Sequence, residues 1–329
     1  MRTRLRSTIL VLSFALVPAA GRAQAADLSH PPGKFVTVMG KKIWYEIEGQ
    51  GEPLVLIPGG GGGSHDYYHP YFSSLSRSFR VVYYDGFGRG NSDRAKSPSE
   101  YSFARDVEEV EALRKALGLD RVHVLGHSYG GIVAQAYALK YPGAIRKLVL
   151  ANTFVSGADY QESNDHINGE IRFQLPEIWS KVEKLRAQGY VSSSPQMQEA
   201  YLAHIATMQE LFYFYDPANA SKIVFNDHTF NAEEYYAITG PDSDFQLGPE
   251  MLRLSFGDGL ARFPQPILII IGRADGIVPP RLALKTARHA RQAETIIMEK
   301  SGHFPFIEET SKTMEVIEAF LKKGPGLKK

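Results

Sequence analysis

The chain has 329 residues, of which 43% are hydrophobic and 22% are charged, and its formal net charge is +1. This composition is typical of a globular protein with one large core. It contains no basic run interleaved with aromatic residues, so a nucleic-acid surface is not expected. The absence of cysteine excludes disulfide bonds and thiolate metal sites.

The N-terminal segment has the pattern of a secretory signal peptide. Residues 1–6 are basic, residues 9–17 are apolar, and Ala23-Gln24-Ala25 fits the small-x-small pattern that precedes cleavage. A membrane anchor is the weaker alternative, because the apolar run is much shorter than the roughly 20 residues that span a bilayer. We expect cleavage after Ala25 and a periplasmic or secreted protein with no membrane span.

The rest of the chain alternates between short apolar strands and amphipathic helices. This rhythm predicts an α/β fold with a mostly parallel, eight-stranded sheet covered by helices on both faces. The predicted strands are 34–39, 42–47, 54–57, 81–84, 122–125, 148–151, 267–271 and 295–298, and the predicted helices are 68–76, 103–117, 131–141, 281–290 and 310–322.

The rhythm stops between residues 152 and 262, where helical segments rich in large aromatic residues replace the strands. An insertion of this length between two strands of one sheet predicts a helical cap over the carboxyl ends of the strands. We therefore expect residues 26–151 and 263–329 to form the core and residues 152–262 to form the cap.

The sequence Gly126-His-Ser-Tyr-Gly130 lies between a predicted strand and a predicted helix. Gly-x-Ser-x-Gly in this position is the pattern of a nucleophile elbow, which holds a serine hydroxyl above the sheet. Ser128 is therefore the candidate nucleophile, and the N–H of Tyr129 is a candidate donor to a developing oxyanion.

A serine hydroxyl needs a base, and the base needs a third group that orients it. Asp275 follows the strand at 267–271, and His303 follows the next strand. Both lie beyond carboxyl ends of strands, where ligands bind in open α/β sheets. We predict Ser128, Asp275 and His303 as a catalytic triad.

Other candidates have simpler interpretations. His127 is expected to point into the elbow in a structural role, and Asp85 to brace a turn, although it could orient a histidine. His65 and His69 are expected to make local hydrogen bonds, with substrate contact as the alternative. No histidine pair has the His-Glu-x-x-His spacing, so we expect no metal and no cofactor.

Five glycines, residues 59–63, follow the strand at 54–57. They could bring backbone N–H groups to a phosphate, but no Lys-Ser/Thr follows at the spacing that phosphate-binding loops use. The better interpretation is the second half of an oxyanion hole, with the N–H of Gly60 as donor.

Three segments of the chain carry a resemblance to a known family: Pro58-Gly-Gly-Gly-Gly-Gly-Ser-His-Asp-Tyr67, Val82-Tyr-Tyr-Asp-Gly-Phe-Gly-Arg-Gly-Asn-Ser92 and Gly126-His-Ser-Tyr-Gly-Gly131. They resemble the proline iminopeptidases of the α/β-hydrolase superfamily, with the tricorn-associated enzymes as the nearest comparison. Gly240-Pro-Asp-Ser-Asp-Phe245 also resembles the Gly-Pro-x-Glu-Phe element of that family. The resemblance implies the α/β-hydrolase fold, the same triad, and Gly60 and Tyr129 as oxyanion donors.

The resemblance also implies a carboxylate site for the free ammonium of the substrate. The cap carboxylate of that site is Asp244, with Asp242 near it, and we expect Tyr213 and Phe245 of the cap to contact the substrate as well. Two features depart from the family pattern: the usual His-Gly-Gly-Pro-Gly is here Pro58-Gly-Gly-Gly-Gly62, and the usual glutamate after the triad aspartate is here Gly276.

These features predict a serine hydrolase that acts through an acyl-enzyme on a small molecule or short peptide. Cleavage of small N-terminal residues is the first possibility, and hydrolysis of small apolar esters, amides or lactones is the second. A non-catalytic binding protein would lack a triad member, and a dehalogenase would need a carboxylate in place of Ser128. Haloperoxidase or lyase chemistry on the same fold is a further alternative. The oligomeric state is left open.

Overall fold

The computed structural model describes residues 31–223 and 230–324. The predicted signal peptide lies outside these described residues. Within them, no helix combines the length and the apolar character that crossing a membrane requires.

Eight strands form one sheet in the spatial order β1-β2-β4-β3-β5-β6-β7-β8. The pairs β1/β2 and β2/β4 are antiparallel, and every other neighbouring pair is parallel. The predicted eight-stranded, mostly parallel sheet is therefore confirmed. The strands are β1 (Lys34–Val38), β2 (Lys41–Glu48), β3 (Glu52–Ile57), β4 (Phe79–Asp85), β5 (Val122–His127), β6 (Ile145–Ala151), β7 (Ile267–Gly272) and β8 (Glu294–Met298).

Both faces of the sheet are packed, as the continuous apolar strands predict. In β3, Leu54 and Leu56 belong to one core cluster, whereas Val55 and Ile57 belong to the other. Successive side chains of a strand point to opposite faces, so each face has its own hydrophobic core beneath a layer of helices.

Twelve α-helices complete the described part of the chain. Seven of them, α3 to α9, lie between β6 and β7 and have a hydrophobic cluster of their own that includes Ile171, Val182, Met197 and Tyr201. The helices are α1 (Phe103–Ala116), α2 (Tyr129–Lys140), α3 (Gly157–Gln174), α4 (Pro176–Ala187), α5 (Pro195–Leu202), α6 (Ile205–Phe212), α7 (Ala232–Thr239), α8 (Pro249–Leu252), α9 (Gly257–Ala261), α10 (Pro280–His289), α11 (Pro305–Glu308) and α12 (Thr310–Lys322).

The prediction of one helix at residues 68–76 was wrong. Two 3₁₀ segments, Asp66–Tyr68 and Tyr71–Arg77, occupy this region, and His69 between them is extended. The cause is Pro70, because a proline disfavours helical backbone in the residue before it. The break sets His69 apart from the second segment.

Candidate active site

Ser128 lies at the junction of β5 and α2 in a strained backbone conformation, with φ +54° and ψ −124°. A non-glycine residue with positive φ costs energy, and such strain persists where the surroundings hold it. Here the Ser128 N–H donates to Ala151 O over 3.0 Å, and Thr153 Oγ1 donates to Ser128 O over 2.7 Å. These contacts hold the serine in the strained strand-to-helix turn that is typical of a nucleophile elbow.

The two glycines of the motif are required by close backbone contacts. A Cβ at Gly126 would lie 2.3 Å from Gly130 O, and a Cβ at Gly130 would lie 2.1 Å from Ile57 O. Both distances are far shorter than van der Waals contact, so any larger residue would displace α2 or β3.

Asp275 and His303 meet where the loops after β7 and β8 come together. His303 Nδ1 lies 2.9 Å from Asp275 Oδ2. Asp275 Oδ1 accepts hydrogen bonds from the N–H groups of Ile277 and Val278, each over 2.8 Å, and Asn152 Nδ2 donates to Oδ2 over 2.6 Å. The carboxylate is therefore held on both oxygens, and it fixes the orientation of the imidazole.

The backbone of His303 is held as firmly as its ring. Its N–H donates to Tyr213 O over 2.8 Å, and its carbonyl lies 2.8 Å from His127 Nε2. His303 Nε2 is buried and makes no hydrogen bond within the described residues. His303 and Ser128 line the same cavity, but no hydrogen bond joins the imidazole to the hydroxyl.

His127 connects three loops around this cavity. Burial, with a smaller effect from His303, holds the pKa of His127 well below its usual range, so the ring is neutral. Because a carbonyl can only accept, Nε2 carries the proton and donates to His303 O, which leaves Nδ1 as the acceptor. Tyr67 Oη lies 3.1 Å from Nδ1 and accepts the N–H of Gly59 over 2.7 Å. His127 thus has the structural role predicted from the sequence, and Tyr67 was not foreseen.

The cavity lies between the sheet and helices α3, α6 and α7 of the cap. Of the residues predicted from the sequence, Ser128, His303, Gly60, Tyr129, Tyr213 and Asp244 all line it. Gly60 has a φ of +81°, which favours glycine. The remaining lining is mainly apolar and comes from Phe154, Tyr160, Ser163, Asn164, Ile167, Asn168, Ile171, Ile205, Met208, Phe212, Tyr235 and Ile277.

Comparison with known proteins agrees with this fold. The profile of a family described as having the alpha/beta hydrolase fold matches residues 52–310. The chain belongs to this family.

The sequence relatives of this hydrolase include a proline iminopeptidase of Saccharolobus solfataricus, which is 30% identical over 295 residues covering 87% of this chain and 91% of that protein. A proline iminopeptidase of Clostridioides difficile is 26% identical over 292 residues, covering 87% and 97%. Among solved structures, a proline iminopeptidase of Mycobacterium smegmatis aligns with a TM-score of 0.68 at 22% identity, covering 88% of this chain and 97% of that chain. The protein is thus a hydrolase enzyme that resembles proline iminopeptidases in sequence.

Asp244 gives the cavity of this hydrolase a carboxylate. The residue as a whole is partly buried, but its Oδ2 atom is buried and makes no hydrogen bond within the described residues. Burial raises the pKa of the Asp244 carboxyl to about 7, although the nearby hydroxyls of Ser192 and Tyr236 act to lower it. Asp242 instead forms a two-contact ion pair with Arg186, at 2.8 and 3.0 Å, and does not line the cavity.

The structure places Phe245 away from the predicted substrate contact. Phe245 is absent from the cavity lining. The Arg186 guanidinium lies 3.6 Å from the centre of its ring, and the Trp179 ring lies 6.2 Å away. These two contacts hold the aromatic ring within the cap. The position of Phe245 next to Asp244 in the sequence did not indicate them.

The glycine that departs from the iminopeptidase pattern lies against the cap. The N–H of Gly276 donates to Phe212 O over 3.0 Å, and a Cβ at position 276 would lie 3.0 Å from both Phe212 Cα and Phe212 O. Helix α6 therefore occupies the space into which a larger side chain at this position would project, and Phe212 lines the cavity there.

Arg89 links the glycine-rich loop at residues 59–63 to the cap, and the sequence analysis did not identify it. Its Nε and Nη2 donate to Gly61 O over 2.9 and 2.6 Å, and its guanidinium pairs with Asp106 at 2.6 Å and with Glu234 of α7 at 2.9 Å. Tyr129 Oη also donates to Asp106, over 2.6 Å. The only signal in the sequence was the position of Arg89 between glycines in the loop at residues 85–92.

His65, His69 and Asp85 do not line the cavity. Asp85 Oδ2 accepts the N–H of Asn91 over 2.9 Å, which is the turn-bracing contact expected from the sequence. Asp85 also orients a histidine, because His65 Nδ1 lies 2.7 Å from Asp85 Oδ1. His65 thus has the local hydrogen-bonding role expected from the sequence.

Proposed function

We propose that this hydrolase removes small N-terminal residues from aminoacyl amides and short peptides by acyl transfer through a Ser128-His303-Asp275 triad. The observation that carries the proposal is a buried carboxylate, Asp244, in the cavity shared by Ser128 and His303. The similarity to proline iminopeptidases supports it.

The proposed chemistry begins with attack of Ser128 Oγ on the scissile carbonyl. His303 Nε2 takes the hydroxyl proton, Asp275 stabilises the resulting imidazolium, and the N–H groups of Gly60 and Tyr129 bind the oxyanion. His303 then protonates the leaving amine, which departs and leaves the acyl-enzyme. A water molecule, deprotonated by His303, releases the acid and restores the serine. Contacts between nucleophile and base are often long before substrate binds and tighten in the complex.

The α-ammonium of the substrate would bind beside Asp244. An ammonium near a buried carboxylate favours the ionised form and offsets the cost of burying the carboxylate. Asn164 and Asn168 also line the cavity, and their Nδ2 groups donate to Ser243 O and Asp244 O over 2.8 Å each. Their amide oxygens therefore remain available as acceptors for a cation.

The second candidate is hydrolysis of small apolar esters or lactones. One observation favours it: Phe212 packs against Gly276, so this chain has an apolar side chain beside the position where the resemblance implies a second carboxylate. With one carboxylate, an ammonium group would be held less strongly than with two.

Two substrate pairs separate these functions. We expect the purified protein to cleave proline p-nitroanilide at least about 100-fold faster than N-acetylproline p-nitroanilide, because acetylation removes the charge that Asp244 would bind. Ser128→Ala should lower the rate by about 10³-fold or more. Asp244→Asn should lower kcat/KM for the free-amine substrate by about 30-fold and leave p-nitrophenyl acetate turnover within about 3-fold.

Asp165→Asn is the matched control, since Asp165 is an exposed carboxylate on the cap helix α3, and it should behave like the unaltered protein. Turnover of p-nitrophenyl acetate with no cleavage of either anilide would reject the aminopeptidase and favour the esterase. Equal rates on the free and acetylated anilides would reject the ammonium site while leaving the serine mechanism intact.

A further inference from the structure

We propose that Glu46, His65 and His69 form a binding site for a divalent transition metal ion, with zinc the best match. The site is separate from the cavity and does not depend on the proposed function. It departs from the sequence-based expectation of no metal.

The three side chains converge from two parts of the chain. Glu46 lies on β2, and the histidines lie four residues apart around a short 3₁₀ turn after the glycine-rich loop. One ligand atom from each residue can be chosen so that all three lie within 4.8 Å of one another, and all three residues are buried, with at most 4% of their surface exposed. Because all three side chains are buried, the cluster is not an ordinary ion pair on the protein surface.

The distances fit a shared metal ion. His65 Nε2 lies 3.3 Å from Glu46 Oε1, and His69 Nε2 lies 3.3 Å from Glu46 Oε2. A tetrahedral zinc ion with bonds of about 2.0–2.1 Å separates neighbouring ligand atoms by about 3.4 Å.

The outer nitrogens of both rings face carboxylates. His65 Nδ1 lies 2.7 Å from Asp85 Oδ1, and His69 Nδ1 lies 3.6 Å from Glu48 Oε1. At His65, the carboxylate close to Nδ1 orients the ring so that Nε2 faces Glu46, and a carboxylate on the outer ring nitrogen is the arrangement found around histidine ligands of zinc. The carboxylates of Glu46, Glu48 and Asp85 all lie against these two rings, and a divalent cation would offset part of their negative charge.

Such an ion would tie the glycine-rich loop to the sheet. Its ligands join β2 to the segment that follows residues 59–63, and Gly60 of that loop lines the active-site cavity. The chain has no cysteine, so a metal would supply a cross-link that disulfide bonds cannot. Three protein ligands leave a fourth position for water.

Metal binding is measured directly on the untagged protein after a chelator has been used and removed. The protein is dialysed against zinc or cobalt(II), and bound metal is counted by mass spectrometry. We expect about one equivalent per chain, visible ligand-field bands of tetrahedral cobalt, and a rise of several degrees in Tm with zinc.

His69→Gln and Glu46→Gln should lose the bound metal, the cobalt bands and the Tm shift. His204→Gln is the control, because His204 is exposed, and it should retain all three. Negligible metal uptake by the unaltered protein, with no Tm shift, would overturn the proposal in favour of two imidazolium–carboxylate pairs, even if a variant fails to fold. Full metal retention by folded His69→Gln would overturn it as well.

Discussion

Asn152 shows how one residue outside the predicted triad can determine its geometry. Its Nδ2 donates to Asp275 Oδ2 over 2.6 Å and lies 3.2 Å from Gly302 O, and its φ is +47°. Asparagine tolerates this left-handed conformation better than most residues do. The amide therefore joins the end of β6 to the loops that carry both Asp275 and His303.

Asn152→Ala should lower kcat about 10-fold or more with little change in KM. A hydrogen bond to a charged group contributes about 1.5–3 kcal/mol, and its loss leaves Asp275 less well oriented for His303. Steady-state kinetics on the substrate that the unaltered enzyme cleaves would measure the effect. Asn152→Ala also places alanine in a left-handed backbone conformation that it tolerates poorly. Asn152→Gly removes the amide without this strain, so it measures the effect of the lost hydrogen bond alone. Full activity in Asn152→Gly would show that the amide is dispensable.

At the scale of elements, the hydrogen-bonded series Gly59–Tyr67–His127–His303 connects the loops after β3, β5 and β8. Tyr67 is almost fully buried, at 1% exposure. Its hydroxyl satisfies one backbone N–H and one ring nitrogen that have no access to water. The series therefore couples the glycine-rich loop to the position of His303.

Tyr67→Phe should lower the free energy of unfolding by about 1–3 kcal/mol, because it leaves the Gly59 N–H buried without its acceptor. It should also lower kcat. Urea unfolding and steady-state kinetics measure the two effects. Tyr71→Phe is the control: its hydroxyl donates to Lys222 O at an exposed position, and its loss should change stability by less than about 0.5 kcal/mol. Equal stabilities of the two variants would contradict the proposed coupling.

For the whole molecule, the sequence predicted the sheet, and it predicted that Ser128, Asp275 and His303 lie at one edge of it, for a simple reason. Apolar runs such as Ile267–Gly272 identify buried strands, and the carboxyl ends of parallel strands share one edge. The contacts of Phe245 with Arg186, and of Asn152 with Asp275, were not predictable in this way. Both contacts join segments that are distant in sequence. The hydrophobic pattern of a segment predicts whether it is a helix or a strand, but it does not predict which distant segment will pack against it.

At the interface between core and cap, several carboxylates lie close to one arginine. Asp106 and Glu109 of α1 and Glu234 of α7 surround Arg89. Burial, reinforced by Asp106 and opposed by Arg89, raises the pKa of the Glu109 carboxyl to about 7. Burial likewise raises the pKa of Glu234 well above its usual range. These groups make the stability of the fold depend on pH.

Because the pKa of Glu109 rises from 4.5 in the unfolded chain to about 7 in the fold, the folded protein holds more protons between these values. Its contribution to stability is complete below pH 4.5 and is lost as pH rises through 7, by an amount of the order of 3 kcal/mol. Glu109→Gln resembles the protonated form and can still accept the N–H of Phe87, which Glu109 Oε1 accepts over 2.9 Å. Urea unfolding at pH 5 and pH 8 should therefore show a smaller loss of stability in this variant than in the unaltered protein. A loss of the same size in both proteins would mean that Glu109 is ionised throughout this range and that other groups set the pH dependence.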